Sequence, residues 1–145
     1  MLVINYPKPE FLIKQEGGKE IIFDPLRKRW LMLTPEEWVR QNFIQYLVQT
    51  LHYPAAFIAI EKEIMLGELK KRFDILVYDK DHKPWMMIEC KAAAVDLNEA
   101  ALHQVLRYHI SVPVSFLIIT NGHTTYGWKK IEPNLKVIQQ MPLWR

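Results

Sequence analysis

The sequence is poor in cysteine, with Cys90 as the only one among 145 residues. A single cysteine excludes an internal disulfide and a metal cluster built from several thiolates, and it fits a reducing compartment. No apolar run approaches the length of a membrane span. The N-terminal stretch MLVINYPKPEF lacks the charged and apolar segments of a signal peptide. These absences predict a soluble, cytoplasmic protein without membrane association.

The charge balance is only mildly basic, at +3, in a chain that is 50% apolar and 24% charged. This composition is ordinary for a globular domain, and the charge permits a polyanionic partner without requiring one. The length suits one domain with a hydrophobic core, and there are no repeats or low-complexity segments. We predict a single domain over residues 1–145, with a β-hairpin and strand extension at 1–33, a core at 34–130 and a C-terminal tail at 131–145.

Short apolar runs bounded by turn residues predict the strands. Gly17-Gly18 and Asp24-Pro25 separate the first runs and indicate a hairpin with a further strand. VSFLIIT is nearly continuous in apolar residues, which is typical of a strand buried on both faces. Three more stretches predict the remaining strands: FIAIEKEIM, RFDILVYDKDHKPWMMIECK and HTTYGWKK.

Capping residues predict two helices. Thr34 is placed to cap the first, Pro35 suits its first position and Glu37 completes a capping box. Asp96 and Glu99 form a similar pair before the second helix. The alternation of strands and helices predicts an α/β fold, with a central mixed β-sheet flanked by helices and an N-terminal β-hairpin extension.

The hairpin from Arg72 to Lys91 carries charges that strands disfavour. Counting inward from a symmetric turn sets Asp74 opposite Glu89, on one face of the sheet. Glu89 and Lys91 are two apart, so they point the same way. Paired carboxylates are destabilising unless a cation lies between them, and Mg²⁺ suits a few carboxylate oxygens and waters. An exposed ion pair is the simpler interpretation, but the apolar neighbours WMMI and ILV argue against a solvated edge.

Asp74, a gap of fourteen residues and then Glu-Cys-Lys resembles the PD-(D/E)XK nuclease motif. The motif follows a helix and precedes a second helix with a Gln-x-x-x-Tyr pair, Gln104 and Tyr108. The segments TPEEWVRQ, RFDILVYD, MMIECKA and FLIITNG resemble the N-terminal nuclease family of type I restriction enzyme R subunits, over residues 27–128. Phe73 stands where the motif name has proline.

This resemblance implies a restriction-endonuclease-like core and DNA cleavage with Mg²⁺, for which Mn²⁺ can substitute. It implies Asp74, Glu89 and the backbone carbonyl of Cys90 as metal ligands, and Lys91 as the catalytic lysine. R subunits continue into a helicase-like motor, and this sequence shows none. We therefore expect cleavage without translocation.

Residues on the two helices have competing interpretations. Glu37 is either an acid that reaches the metal or a capping residue only, and Glu36 and Gln41 are alternatives on the same helix. Gln104 and Tyr108 are four apart and share a helix face, which suits a role in the site, although Tyr108 could equally be core.

Basic residues and histidines complete the candidates. Lys70, Lys71 and Arg72 precede Asp74, where a phosphate backbone would lie, although such runs are more often solvated. The five histidines show no zinc-ligand spacing, and for His109 as for the others we expect a solvated or capping role.

Two function classes follow. The first is an endonuclease-type domain that hydrolyses DNA phosphodiesters with a metal ion. The alternative is a non-catalytic DNA-binding or docking subunit that works with a separate restriction or repair partner, such as a motor or methyltransferase subunit. The intact Asp74, Glu89 and Lys91 favour the first, because a degenerate module would have lost one of them.

Overall fold

The computed structural model describes residues 1–145 as two β-sheets and two α-helices. The small antiparallel sheet contains β1 (Ile13–Glu16), β2 (Lys19–Asp24) and β3 (Arg29–Met32). Helix α1 (Pro35–Gln45) continues into a π-helical segment, Tyr46–Thr50. The large sheet has the strand order β4 (Ile58–Leu66), β5 (Leu69–Tyr78), β6 (Pro84–Cys90), β7 (Phe116–Thr120), β8 (Thr125–Ile131) and β9 (Asn134–Val137), and α2 (Glu99–His109) connects β6 to β7.

The large sheet is mixed. Strands β6 and β7 run parallel, since they are joined through α2, and every other neighbouring pair is antiparallel. The predicted α/β fold with a central mixed sheet, flanking helices and an N-terminal hairpin extension is therefore confirmed. Strand β9 was not predicted, and it lies within residues 131–145, which were interpreted as a tail.

Helix α1 begins as predicted. The side chain of Thr34 accepts a hydrogen bond from the Glu37 backbone N–H at 3.0 Å, and Pro35 is the first helical residue. Val39 and Phe43, four apart, are buried on one face of the helix. They belong to a core cluster shared with Ile75, and this packing holds α1 against one face of the sheet.

The predicted cap of α2 is wrong. Asn98, rather than Asp96, is the N-cap, and its side chain accepts from the Ala101 backbone N–H at 2.9 Å. Asn and Asp cap helices about equally well, so the pattern alone did not decide between two caps two residues apart. Leu97 packs into a second core cluster with Leu117, on the other face of the sheet.

Strands β5 to β7 are thus covered on both faces. All five residues of β7 are buried, as its apolar run predicted.

No helix of the protein combines the length and apolarity needed to cross a membrane.

The turn after β2 is held by a buried carboxylate. Asp24 accepts hydrogen bonds from the backbone N–H groups of Leu26 at 2.8 Å and Arg27 at 3.2 Å, and it pairs with the Arg27 guanidinium. Burial by itself would raise the pKa of Asp24, but the hydrogen bonds and charge of Arg27 outweigh it, and the pKa is lowered.

Replacing Asp24 with asparagine is expected to reduce the free energy of unfolding at pH 7 by about 1–3 kcal/mol. The pKa of Asp24 in the folded state lies below the ordinary value. The stabilisation that its charge provides is therefore complete above about pH 4, and it is lost as the pH falls through the folded-state pKa. Urea unfolding of both forms between pH 7 and pH 3 measures this. A difference that does not shrink on acidification would contradict it.

Candidate active site

The hairpin of β5 and β6 brings the two predicted carboxylates together. Ile75 pairs with Ile88, and the same register continued by one residue sets Asp74 opposite Glu89, as predicted. The ladder ends there, and Asp74 Oδ2 instead accepts a hydrogen bond from the Cys90 backbone N–H at 2.8 Å. The side chain of Asp74 therefore bridges the two strands at the point where their backbone pairing stops.

Lys91 and His109 contact Glu89. Lys91 Nζ lies 3.3 Å from Glu89 Oε1, the pairing expected when the ammonium is the nearest cation. His109 Nε2 lies 3.6 Å from Glu89 Oε2. His109 is only 3% exposed and its Nδ1 has no hydrogen-bond partner, so the expectation of a solvated or capping role was wrong. Its ring packs on Phe73, which buries it.

Arg40 of α1 contacts Asp74 from the other side. Its buried guanidinium places Nη2 at 3.2 Å from Asp74 Oδ1 and Nη1 at 2.6 Å from Glu37 Oε1. The second oxygen of Glu37 accepts from Gln41 and from Arg27, each at 3.0 Å. The Glu37 side chain therefore does not close the predicted capping box, because these three partners hold it.

The helix candidates thus reach Asp74 only indirectly. Glu36 Oε1 accepts from Arg40 Nη2 at 3.1 Å, while Gln41 donates to Glu37. None of Glu36, Glu37 and Gln41 is hydrogen-bonded to Asp74. Arg40 is the group that joins α1 to the carboxylates.

The pKa values of the two carboxylates are shifted in opposite directions. Burial raises the pKa of Asp74, and the nearby charge of Glu89 raises it further, to about 6. The hydrogen bond from the Cys90 N–H and the charge of Arg40 lower the pKa but do not outweigh these effects. Burial alone would raise the pKa of Glu89 as well, but His109 and Lys91 outweigh it and the pKa is lowered. At neutral pH both groups are mainly ionised, and their mutual repulsion persists.

Negative charge exceeds positive charge around the site. The site and the ion pairs around it contain six carboxylates and four permanent cations, which leaves an excess of two negative charges. The carboxylates are Asp24, Glu36, Glu37, Glu61, Asp74 and Glu89, and the cations are Arg27, Arg40, Arg72 and Lys91.

A cleft beside α2, here called the α2 cleft, opens onto this site. It has a volume of about 740 Å³. Gln104 and Tyr108 lie along it together with Glu89 and Lys91, whereas Asp74 is not part of its lining. The full lining consists of Glu36, Arg72, Glu89, Lys91, Val95, Leu97, Ala101, Gln104, Val105, Tyr108 and His109.

The three predicted phosphate-binding cations are not equivalent. Lys71 is buried, donates to the backbone carbonyl of Tyr108 and has its Nζ 4.4 Å from the centre of the Tyr108 ring. Alternation along β5 leaves Lys70 and Arg72 exposed, and Arg72 lines the α2 cleft. This corrects the interpretation of Lys71 as a phosphate-binding residue: it is a structural residue that fastens the end of α2 to β5.

The donor set suits a hard divalent cation. No group of three or more His, Cys, Asp or Glu side chains that could hold a metal ion occurs in the protein. Mg²⁺, however, is usually held by one or two carboxylates together with waters and phosphate. Each oxygen of Asp74 has one hydrogen-bond partner, which leaves a lone pair free on each. Asp74 and Glu89 with the Cys90 carbonyl, in surroundings of excess negative charge, therefore fit such an ion.

Sequence reasoning missed Arg40 and His109. Arg40 follows Glu36 by four residues and Glu37 by three, so the spacing of charges on α1 could have indicated it. His109 carried no comparable signal, because its proximity to Glu89 arises from the packing of α2 on β6.

Comparisons with known proteins matched this chain to a family and to a solved structure. The model of the family described as "Type I restriction enzyme R protein N terminus (HSDR_N)" matches residues 35–142. The crystal structure of a provisionally assigned nuclease of the DUF820 family from Anabaena variabilis is similar at 11% identity and a TM-score of 0.48, over 92% of this chain and 79% of that one. A search of curated proteins found no match. Because the family match spans most of the chain, including both helices and all six strands of the large sheet, the protein belongs to the family of type I restriction enzyme R protein N-termini.

Proposed function

We propose that the domain hydrolyses phosphodiester bonds of DNA with the help of Mg²⁺, at a site formed by Asp74, Glu89 and Lys91. Membership of a restriction enzyme family supports a nuclease-type function. The observation that carries the proposal is the position of Asp74 opposite Glu89, one residue beyond the last backbone pair of adjacent strands, with Lys91 Nζ 3.3 Å from Glu89. A simple ion pair would need one carboxylate beside the ammonium, whereas here two carboxylates lie at the open end of the hairpin.

Asp74, Glu89 and the Cys90 carbonyl would hold the ion. A bound Mg²⁺ supplies positive charge at the phosphate and lowers the pKa of a bound water. Mn²⁺ is expected to substitute, since the donors are all oxygens. The closeness of two carboxylates, which raises the pKa of Asp74, supports a divalent rather than a monovalent cation.

The protein's own groups orient the substrate. Lys91 Nζ lies at the wall of the α2 cleft, where it can hold a water by hydrogen bonding and stabilise negative charge developing on a phosphate. Gln104 and Tyr108, which line the same cleft, can hydrogen-bond phosphate oxygens. Arg72 at the rim and the exposed Lys70 can bind neighbouring phosphates, which positions the strand without reading sequence.

Nicking of supercoiled plasmid tests the function. We expect slow conversion to the open circle with Mg²⁺ or Mn²⁺ and complete loss of nicking in EDTA, because the two carboxylates repel each other and cannot bind the phosphate without a cation. Agarose gels of time courses measure the rate. Nicking that persists in EDTA would contradict a metal-dependent site.

A non-catalytic DNA-binding or docking role is the second candidate. It is favoured by one observation: each site carboxylate already has a protein cation as partner, Arg40 for Asp74 and Lys91 for Glu89. In that case the domain would bind DNA for a separate motor or methyltransferase subunit. Salt-dependent DNA binding without Mn²⁺ binding or nicking would support this candidate against the first.

A further inference from the structure

The carboxylate of Asp74 is fixed at both of its oxygens by groups from different elements. Oδ2 accepts from the backbone N–H of Cys90 on β6 at 2.8 Å, and Oδ1 accepts from Arg40 of α1 at 3.2 Å. The Cys90 contact comes from the neighbouring strand and is part of the sheet. The Arg40 contact depends on how α1 is docked, and it determines how the carboxylate plane is turned.

Arg40 is itself held in place from behind. Its Nη1 donates to Glu37 at 2.6 Å, and Glu37 is in turn bound by Arg27 at 3.0 Å. Arg27 belongs to the turn between β2 and β3, where Asp24 fixes it. A continuous chain of ion pairs therefore runs from the N-terminal sheet through α1 to Asp74.

We propose that Arg40 is a positioning residue that orients the Asp74 carboxylate for the divalent ion, with Glu37 and Arg27 holding Arg40 in that position. The inference rests on the proposed function. Arg40 is buried and is not among the residues that line the α2 cleft, and it therefore acts through Asp74 rather than on the substrate.

The forked guanidinium is the reason that arginine is needed here. Its two terminal nitrogens contact Glu37 and Asp74 at the same time, and it keeps its charge at every working pH. A lysine would keep the charge, but its single ammonium on a flexible stem cannot hold two carboxylates in one fixed plane. The substitution Arg40→Lys therefore separates orientation from charge.

The test compares Arg40→Lys with the wild type and with Arg29→Lys, a control in the exposed part of β3. Electron paramagnetic resonance of free Mn²⁺ gives the dissociation constant, and plasmid nicking at saturating Mn²⁺ gives the rate. We expect Arg40→Lys to weaken Mn²⁺ binding by about 10-fold or more and to slow nicking by about 10- to 100-fold. Arg29→Lys is expected to match the wild type in both.

A second variant covers the case in which Arg40→Lys does not fold, as calorimetry would show. Glu37→Gln keeps the side-chain size but removes the charge that holds Arg40, so a weaker Mn²⁺ affinity is again expected. Wild-type Mn²⁺ affinity in a folded Arg40→Lys, or in Glu37→Gln if only that variant folds, would overturn this inference alone. Nicking that survives Asp74→Ala would instead defeat the proposed function, and a wild type that binds no Mn²⁺ would defeat both.

Discussion

Replacing Lys91 with alanine is expected to slow plasmid nicking by about 100- to 1000-fold, the usual cost of removing one group that stabilises charge in a transition state. Mn²⁺ binding is expected to persist, because the lysine is not a ligand. Loss of the ammonium beside Glu89 also removes a competitor for that carboxylate, so Mn²⁺ affinity should not fall. Single-turnover nicking and Mn²⁺ titration of the same preparation measure the two effects.

Lys136→Ala is the matched control for this variant. Lys136 is an exposed lysine on β9, at the edge of the large sheet opposite to β4. Its replacement by alanine should leave the nicking rate unchanged. If Lys91→Ala nicked as fast as the wild type, the cleavage would come from another site or from a contaminant.

Replacing Asp74 with alanine is expected to remove both nicking and Mn²⁺ binding. The change deletes one of two carboxylate donors, so the loss of affinity should exceed the roughly 100-fold that indirect partners of a metal cost. It also removes the side-chain acceptor of the Cys90 N–H and one of the acceptors of Arg40, which keeps Glu36 and Glu37. Several kcal/mol of charge stabilisation are lost with the ion, which corresponds to about 1000-fold or more in rate.

Isothermal titration with Mn²⁺, beside nicking assays, measures both losses in Asp74→Ala. The control is Asp81→Ala, which removes an exposed carboxylate at the turn of the same hairpin. Retained Mn²⁺ affinity in Asp74→Ala would show that the ion binds elsewhere, and the assignment of Asp74 would be wrong.

The register of the hairpin could be predicted because side chains alternate strictly along strands. Counting from a symmetric turn set Asp74 opposite Glu89, although the turn is not symmetric. Tyr78 pairs with Pro84, and the irregularity between Val77 and Tyr78 restores the expected register before the site. The prediction was therefore correct at the site and wrong near the turn.

The contacts made by the helices could not be predicted in the same way. The position of Arg40 against Asp74 depends on the docking of α1 on the sheet, and that of His109 depends on the docking of α2. Lys71 shows the same limit, since its burial under Tyr108 follows from where α2 ends. Local periodicity predicts which face of an element a residue occupies, but packing decides which charges meet across elements.

The measurement that tests the central claim most directly is anomalous diffraction from crystals of the protein soaked in Mn²⁺. The proposed site predicts one strong peak in contact with the carboxylates of both Asp74 and Glu89. It also predicts that Lys91 moves away from Glu89 as the ion takes over that carboxylate. A peak elsewhere, or no peak while Arg40 and Lys91 keep their pairings with the two carboxylates, would contradict the account.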